Sequence, residues 1–252
     1  MTGLLIAVAA LWGAVTGTLV PRAAYRFSVP PEETWRERCP GGHPIRGWIG
    51  WARCRECHSG DSPCTPFTSY SVYGPRTSLV ALVTALVCAA LAAATDTRPE
   101  IAVWLLLAPV GVLLAVVDFR VKRLPDVLTL PLAAAALVLL GLVTLVPEHV
   151  GDWRSAALGA LALGTGYFVL WLVNPGGMGF GDVKLAIGIG AVLGWYGWGT
   201  VLVGTFAGFL LGAVYGGALV VARRAGRRTA IPFGPFLITG AYLGLLAGAC
   251  AA

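Results

Sequence analysis

Charge is what this chain has least of. Asp, Glu, Lys and Arg together make up 12% of its 252 residues, against 57% hydrophobic residues and a mean hydropathy of +0.78. That excludes a water-soluble globular domain of ordinary composition, in which about a quarter of the residues are charged. An HExxH helix is absent and no Ser–His pair stands out at one membrane depth, which removes the zinc-protease and serine-hydrolase machinery. Basic residues interleaved with aromatics on one surface are missing too. The net charge of +6 is instead spread over short juxtamembrane runs, so nucleic acid is excluded as a partner. The first apolar run has no Lys or Arg ahead of it and no small-x-small cleavage site behind it. It therefore reads as a retained helix rather than a cleaved signal peptide.

What is abundant is apolar sequence in membrane-length pieces. A bilayer core needs about 20 such residues per helical span. Eight windows qualify: about 3–20, 77–95, 100–118, 127–147, 155–173, 185–202, 203–222 and 233–250. The expected fold is thus all-α: a polytopic membrane protein with about eight transmembrane helices and one long loop, 22–76. Of the eighteen basic residues, sixteen fall in alternate connections and only Arg98 and Arg154 on the other side. By the positive-inside rule the four basic connections face the cytoplasm and both termini face out.

Three tracts break the apolar background. In the long loop lie Cys39, Cys54, Cys57 and Cys64, with His43 and His58 nearby; Cys88 and Cys250 fall inside helices and read as packing residues. Cys54-Arg-Glu-Cys57 is a CxxC pair, whose spacing lets two thiolates grip one tetrahedral zinc, and Cys39 with Cys64 would complete four ligands. The competing reading is reduced cytoplasmic cysteines with no metal, because Cys39-Pro-Gly-Gly42 has glycine where a second thiol would stand.

The second tract runs from Val116 to Pro131, where Asp118 ends an uncharged run begun at Ile101. A carboxylate at membrane depth costs about 3 kcal/mol if it reaches the bilayer centre, so it marks function. The bland alternative is an interfacial group paired with Lys122 one turn on. Asp126, just after Pro125, reads as an N-terminal cap of helix four. The third tract is Asn174-Pro-Gly-Gly-Met-Gly-Phe-Gly-Asp182-Val-Lys184. Four glycines in six residues break regular helix, and irregular backbone at this depth is expected to line a cavity. Asp182 then opens helix six; the alternative is an ordinary glycine turn with a capping Asp. Asp118 and Asp182 both return to the cytoplasmic edge. Two carboxylates sharing one proton there would form an acid–base pair for hydrolysis.

Gly179-Phe180-Gly181-Asp182, followed by Val183-Lys184, resembles the GxGD signature of the prepilin peptidases, membrane aspartic proteases of type IV pilus and type II secretion systems. Asp118 with its trailing basic residues and Leu124-Pro-Asp-Val-Leu-Thr-Leu-Pro131 is similar to the family's first-aspartate segment. Ile231-Pro-Phe-Gly-Pro-Phe236 resembles its stretch before the last helix.

The resemblance implies a membrane endopeptidase, in the bacterial inner membrane with its site facing the cytoplasm, that removes a basic leader from prepilins or pseudopilins. Asp118 and Asp182 would be the catalytic pair, with Gly179, Gly181 and Lys184 in the active-site loop. Proteolysis would need no cofactor. Many members also methylate the new amino terminus with S-adenosylmethionine, an activity tied to the cysteine-bearing loop. The division that follows is 1–21 as first helix, 22–76 as cytoplasmic zinc or methyltransferase loop, and 77–252 as a seven-helix peptidase core. The alternative is an ion- or proton-coupled transporter using intramembrane aspartates. It would show inverted repeats, and the first and second four helices have no such correspondence.

Overall fold

The computed structural model describes residues 2–30, 32–57, 72–223 and 231–252. Within them lie eight helices: α1 (Thr2–Phe27), α2 (Thr77–Thr95), α3 (Ile101–Val121), α4 (Asp126–Val143), α5 (Trp153–Val173), α6 (Phe180–Gly194), α7 (Trp198–Val221) and α8 (Gly234–Ala251). No strand occurs among the described residues, only two isolated bridges in the α1–α2 connection, Arg38 with Pro44 and Arg53 with Val72. The all-α expectation holds. Helix is the form apolar segments must take in lipid, since it satisfies every backbone donor and acceptor within the segment.

Seven of the eight helices are long and apolar enough to cross a membrane; α6 is the exception. Its 15 residues rise only about 22 Å, short of a hydrocarbon core of about 30 Å. The sequence windows at 185–202 and 203–222 set these boundaries differently. The break falls earlier, where Gly197 takes a φ of +97° that disfavours any other residue. A short helix is tolerated here because α6 is sheathed by protein. Asp182, Val183, Leu185, Ala186 and every residue from Gly188 to Leu193 except Val192 are buried. The main hydrophobic cluster forms around it, with Leu114 of α3, Tyr167 of α5, Leu185 and Leu193 of α6, and Leu237 of α8.

Helices cannot be driven together by the hydrophobic effect in a solvent as apolar as they are, so close backbone approach does the work. Gly13 and Gly17 of α1 form a GxxxG face: a Cβ on Gly13 would lie 2.5 Å from the Thr84 carbonyl of α2, and one on Gly17 2.7 Å from Ala81 Cα. Gly190 and Gly194 of α6 meet Gly159 and Ser155 of α5, and Gly204 and Gly208 of α7 meet Gly240 and Gly244 of α8, in the same way. Large apolar side chains also cover the outer surface, where Leu4, Leu11, Leu82, Leu86, Leu161 and Phe206 are exposed.

Helix α1 continues to Phe27, past the boundary expected at residue 21, so Arg22 and Arg26 are helical. They lace the following segment to the helix end. The Arg22 guanidinium donates to the carbonyls of Arg46 (2.8 Å) and Trp51 (3.1 Å), and Arg26 donates to Gly47 (2.9 Å) while lying over the Trp48 ring. His58, Cys64, Arg224, Arg227 and Arg228 lie outside the described residues.

Candidate active site

Asp118 sits one turn from the C-terminus of α3, whose cap, Lys122, takes a left-handed conformation and returns its N–H to the Asp118 carbonyl at 2.8 Å. The side chain is buried, with 4% exposure. Among the described residues it forms no ion pair with Lys122. Its Oδ2 instead accepts the backbone N–H of Gly234 at 3.0 Å. Gly234 is the first residue of α8, so the carboxylate faces the positive end of that helix. A Cβ at Gly234 would fall 2.8 Å from this oxygen and 3.3 Å from Leu124 Cδ1, which is why the position carries glycine.

Asp182 reaches an equivalent arrangement on its own helix. It is the third residue of α6, its Oδ2 accepts the Gly179 N–H at 3.2 Å, and its own N–H donates to the Gly179 carbonyl at 3.0 Å. This is the N3 half of a capping box. Gly181 is required by space, since a Cβ there would lie 2.9 Å from Leu124 Cβ. Gly179 is not, its own Cβ meeting Asp182 only at an ordinary 3.5 Å. Leu124 therefore lies against both Gly181 and Gly234, between the turn that leads to Asp182 and the helix start that holds Asp118. Asp182 is 6% exposed and close enough to Asp118 to feel its charge. Both acids accordingly lie beside helix N-termini, buried and held by single backbone amides.

Lys184 goes elsewhere. Its Nζ pairs with Asp126 Oδ2 at 2.6 Å and lies over the Phe180 ring, joining α6 to the first turn of α4. No side-chain cap is formed at the start of α4, so Asp126 favours that helix by charge and by this ion pair rather than by a capping hydrogen bond. The glycine segment ahead of α6 also departs from expectation. Residues 174–177 are exposed rather than cavity-lining. An apolar cavity of about 470 Å³ lies instead among α2, α3, α4, α6 and α8, running from Trp104 and Leu245 to Phe119, the neighbour of Asp118.

The α1–α2 connection holds a second cluster. Cys39-Pro-Gly-Gly-His43 closes on itself through Cys39 N–H to the His43 carbonyl (2.9 Å) and Gly42 N–H to the Cys39 carbonyl (2.9 Å), with Gly42 at φ +82°. The turn brings Cys39 Sγ and His43 Nδ1 within 3.6 Å of each other. Cys57 Sγ lies 3.7 Å from Cys39 Sγ and 3.3 Å from His43 Nδ1, and Cys54 Sγ 3.6 Å from His43 Nδ1. Ligand atoms of a tetrahedral thiolate–imidazole site stand about 3.5–3.8 Å apart, so this Cys3His group can hold a metal ion. Among the described residues His43 supplies the fourth ligand atom; Cys64, expected in the set, lies outside them. Burial, with the neighbouring thiols, pushes the metal-free Cys57 thiol up to about 12. Glu56 lies 3.7 Å from His43 Nε2, in the position of an orienting carboxylate.

Gly234 and Leu124 are further parts of the site, each lying in a segment that the sequence marks, Phe-Gly-Pro for the first and Leu-Pro-Asp for the second, without its place beside the acids being legible there.

The chain resembles known proteins over most of its length. Residues 105–217, which contain both aspartates, match the type IV leader peptidase family. A prepilin leader peptidase/N-methyltransferase of Aeromonas salmonicida is 34% identical over 215 residues, 81% of this chain and 66% of that protein. One of Pseudomonas aeruginosa is 30% identical over 246 residues, 90% of this chain and 75% of that protein. One of Escherichia coli K12 is 39% identical over 142 residues, 52% of this chain and 57% of that protein. The chain thus spans slightly less than two thirds of the Aeromonas protein. No solved structure matches. With residues 105–217 matching the family and a relative 30% identical across 90% of the chain, the chain belongs to the type IV leader peptidase family.

Proposed function

We propose that this protein is a membrane-embedded aspartic endopeptidase that cuts the basic leader from type IV prepilins or pseudopilins, with Asp118 and Asp182 as its catalytic pair. The observation that carries the reading is the burial of two carboxylates beside helix N-termini whose first turns, at Gly181 and Gly234, both pack on Leu124. In such a pair one carboxylate is ionised and takes a proton from the attacking water. The other, kept neutral by its neighbour's charge, protonates the scissile carbonyl, takes a proton back from a hydroxyl of the tetrahedral intermediate, and passes it to the leaving amine. Hydroxide from water adds to the carbonyl carbon, the C–N bond breaks, and each carboxyl ends in the other's starting state, so no covalent intermediate is needed. The apolar cavity reaching Phe119 suits the apolar residues that follow a prepilin leader.

The bias of sixteen basic residues to one set of connections supports a cytoplasmic location for this end of the bundle, and the bacterial relatives support the inner membrane. The division into a first helix, a loop over 22–76 and a core over 77–252 belongs to the same reading. In the loop, Cys39, His43, Cys54 and Cys57 would hold zinc, whose closed four-ligand shell is structural rather than catalytic. The name of the relatives extends the proposal to methylation of the new amino terminus, for which S-adenosylmethionine would supply the methyl group. The transporter alternative gains nothing from the relatives.

The test is cleavage of prepilins from the same source by the purified protein in membranes, read by mass spectrometry. Wild type should release the leader, and Asp118→Asn and Asp182→Asn should each release none. Full activity in either variant would sink the dyad, and a product heavier by one methylene would establish the second activity.

A further inference from the structure

In the α1–α2 connection, Gly47-Trp48-Ile49-Gly50-Trp51 turns its backbone toward α1 and its large side chains away from it. The Arg22 guanidinium donates to the carbonyls of Arg46 (2.8 Å) and Trp51 (3.1 Å), and Arg26 donates to that of Gly47 (2.9 Å). The Gly50 carbonyl accepts the Arg22 N–H at 3.0 Å, and the Gly50 N–H donates to the Leu19 carbonyl at 2.8 Å. Gly47 and Gly50 permit this path with φ of +78° and +120°. What faces outward is apolar: Trp48, Ile49 and Trp51 are 42%, 63% and 54% exposed. Polar backbone tied back to a helix, beneath a ridge of large exposed apolar side chains, is the arrangement a lipid surface requires.

The depth of the turn points the same way. Gly50 is bonded at the level of Leu19, which lies about 26 Å along α1 from Thr2 at 1.5 Å per residue. A hydrocarbon core is about 30 Å thick, so the turn stands at its edge. The Leu19 side chain is itself exposed, as is Leu79 in the first turn of α2, the helix that packs beside α1 where Gly17 meets Ala81. Headgroup level is where indole rings prefer to lie. Arg46, Arg53 and Arg55 flank the turn, exposed, and form no ion pair among the described residues. Guanidinium groups at this level face lipid phosphates.

We propose that this turn is a membrane-docking surface: Trp48, Ile49 and Trp51 insert into the headgroup region of the leaflet at the C-terminal end of α1, and Arg46, Arg53 and Arg55 lie against its phosphates. The partner is the lipid surface itself. Cys54 follows Arg53 directly, so the Cys3His group is held against the membrane rather than apart from it. Docking of this kind does not depend on peptidase activity.

The test is photolabelling of the full chain in vesicles of phosphatidylcholine and phosphatidylglycerol, with a phospholipid carrying a diazirine near the glycerol end of an acyl chain. Trypsin would release residues 47–53 as one peptide, and residues 1–22, with the exposed Leu4, Leu11 and Leu19, as another. Lipid adducts are expected on both, and on Trp48, Ile49 or Trp51 in the first. An unlabelled 47–53 beside a labelled 1–22 would overturn the proposal and leave these side chains to a protein partner. Ile49→Asp gives a second reading. The turn is held through its backbone, so the fold persists, while a carboxylate resists entry into lipid. Label on residues 47–53 should fall several-fold with that on residues 1–22 unchanged. Equal label in wild type and Ile49→Asp would show a turn that lies near lipid without entering it, and insertion would be overturned.

Discussion

The N–H of Gly234 donates to Asp118 Oδ2 at 3.0 Å across 116 positions of sequence. The last helix thus begins at the acid that ends the third, and a change at Gly234 acts on Asp118 without altering it. Gly234→Ala would place a methyl 2.8 Å from that oxygen. Displacing a catalytic group by about 1 Å can cost 10²-fold in rate. Cleavage should fall by a factor of about 10–100 while the protein still folds, and single-turnover kinetics would show it; wild-type turnover would mean that the carboxylate has room to move.

The two glycines of the Gly-Phe-Gly-Asp turn should part company. Gly181→Ala drives a Cβ to 2.9 Å from Leu124, the residue that also lies against Gly234, whereas Gly179→Ala makes only a 3.5 Å contact in extended backbone. The Gly179 amide that Asp182 accepts from survives either change. Parallel cleavage assays should find Gly181→Ala the more damaged by at least about 10-fold, a scale set by repositioning of a reacting group. The reverse order would move the spatial requirement to the first glycine.

Asp126 and Lys184 form a partly exposed pair, and such pairs contribute about 0–1 kcal/mol. Asp126→Asn should therefore lower the melting temperature slightly and leave cleavage largely intact. An inactive, folded Asp126→Asn beside an active Asp118→Asn would show that the first catalytic acid is Asp126.

Metal analysis of freshly purified protein should find one zinc per chain, lost in His43→Ala and in Cys57→Ser. Cleavage should persist in both, since the ligands stand in the α1–α2 connection, apart from the aspartates on α3 and α6. Retention of zinc in His43→Ala would return the fourth position to another residue, Cys64 first.

The helices were legible because lipid imposes a simple rule: an apolar run long enough to span must be helical. The exception is α6, whose end at Gly194 was hidden among residues as apolar as those of α7. A short helix sheathed by protein has the same composition as a spanning one, so hydropathy cannot separate them. The aspartates were legible for the converse reason, as isolated charges against an uncharged background. His43 was not, because its part depends on a turn that folds Cys39 and His43 together, and the spacing of cysteines alone pointed to Cys64. Lys184 looked like part of the active-site loop by its place after the motif, but on a helix the residue two positions from Asp182 faces elsewhere, and it found Asp126.

By itself the sequence determined that the chain lies in a membrane, and it set apart Asp118, Asp182 and the cysteines of the loop, because each follows from composition or short spacing. Only the tertiary structure decided what holds those acids. Gly234, at the start of α8, holds Asp118, and Leu124, in the α3–α4 connection, lies against both Gly234 and Gly181; contacts between helices depend on how close two backbones come. That distance is set by glycine faces packed against each other in three dimensions, a property of pairs of helices that no single segment carries.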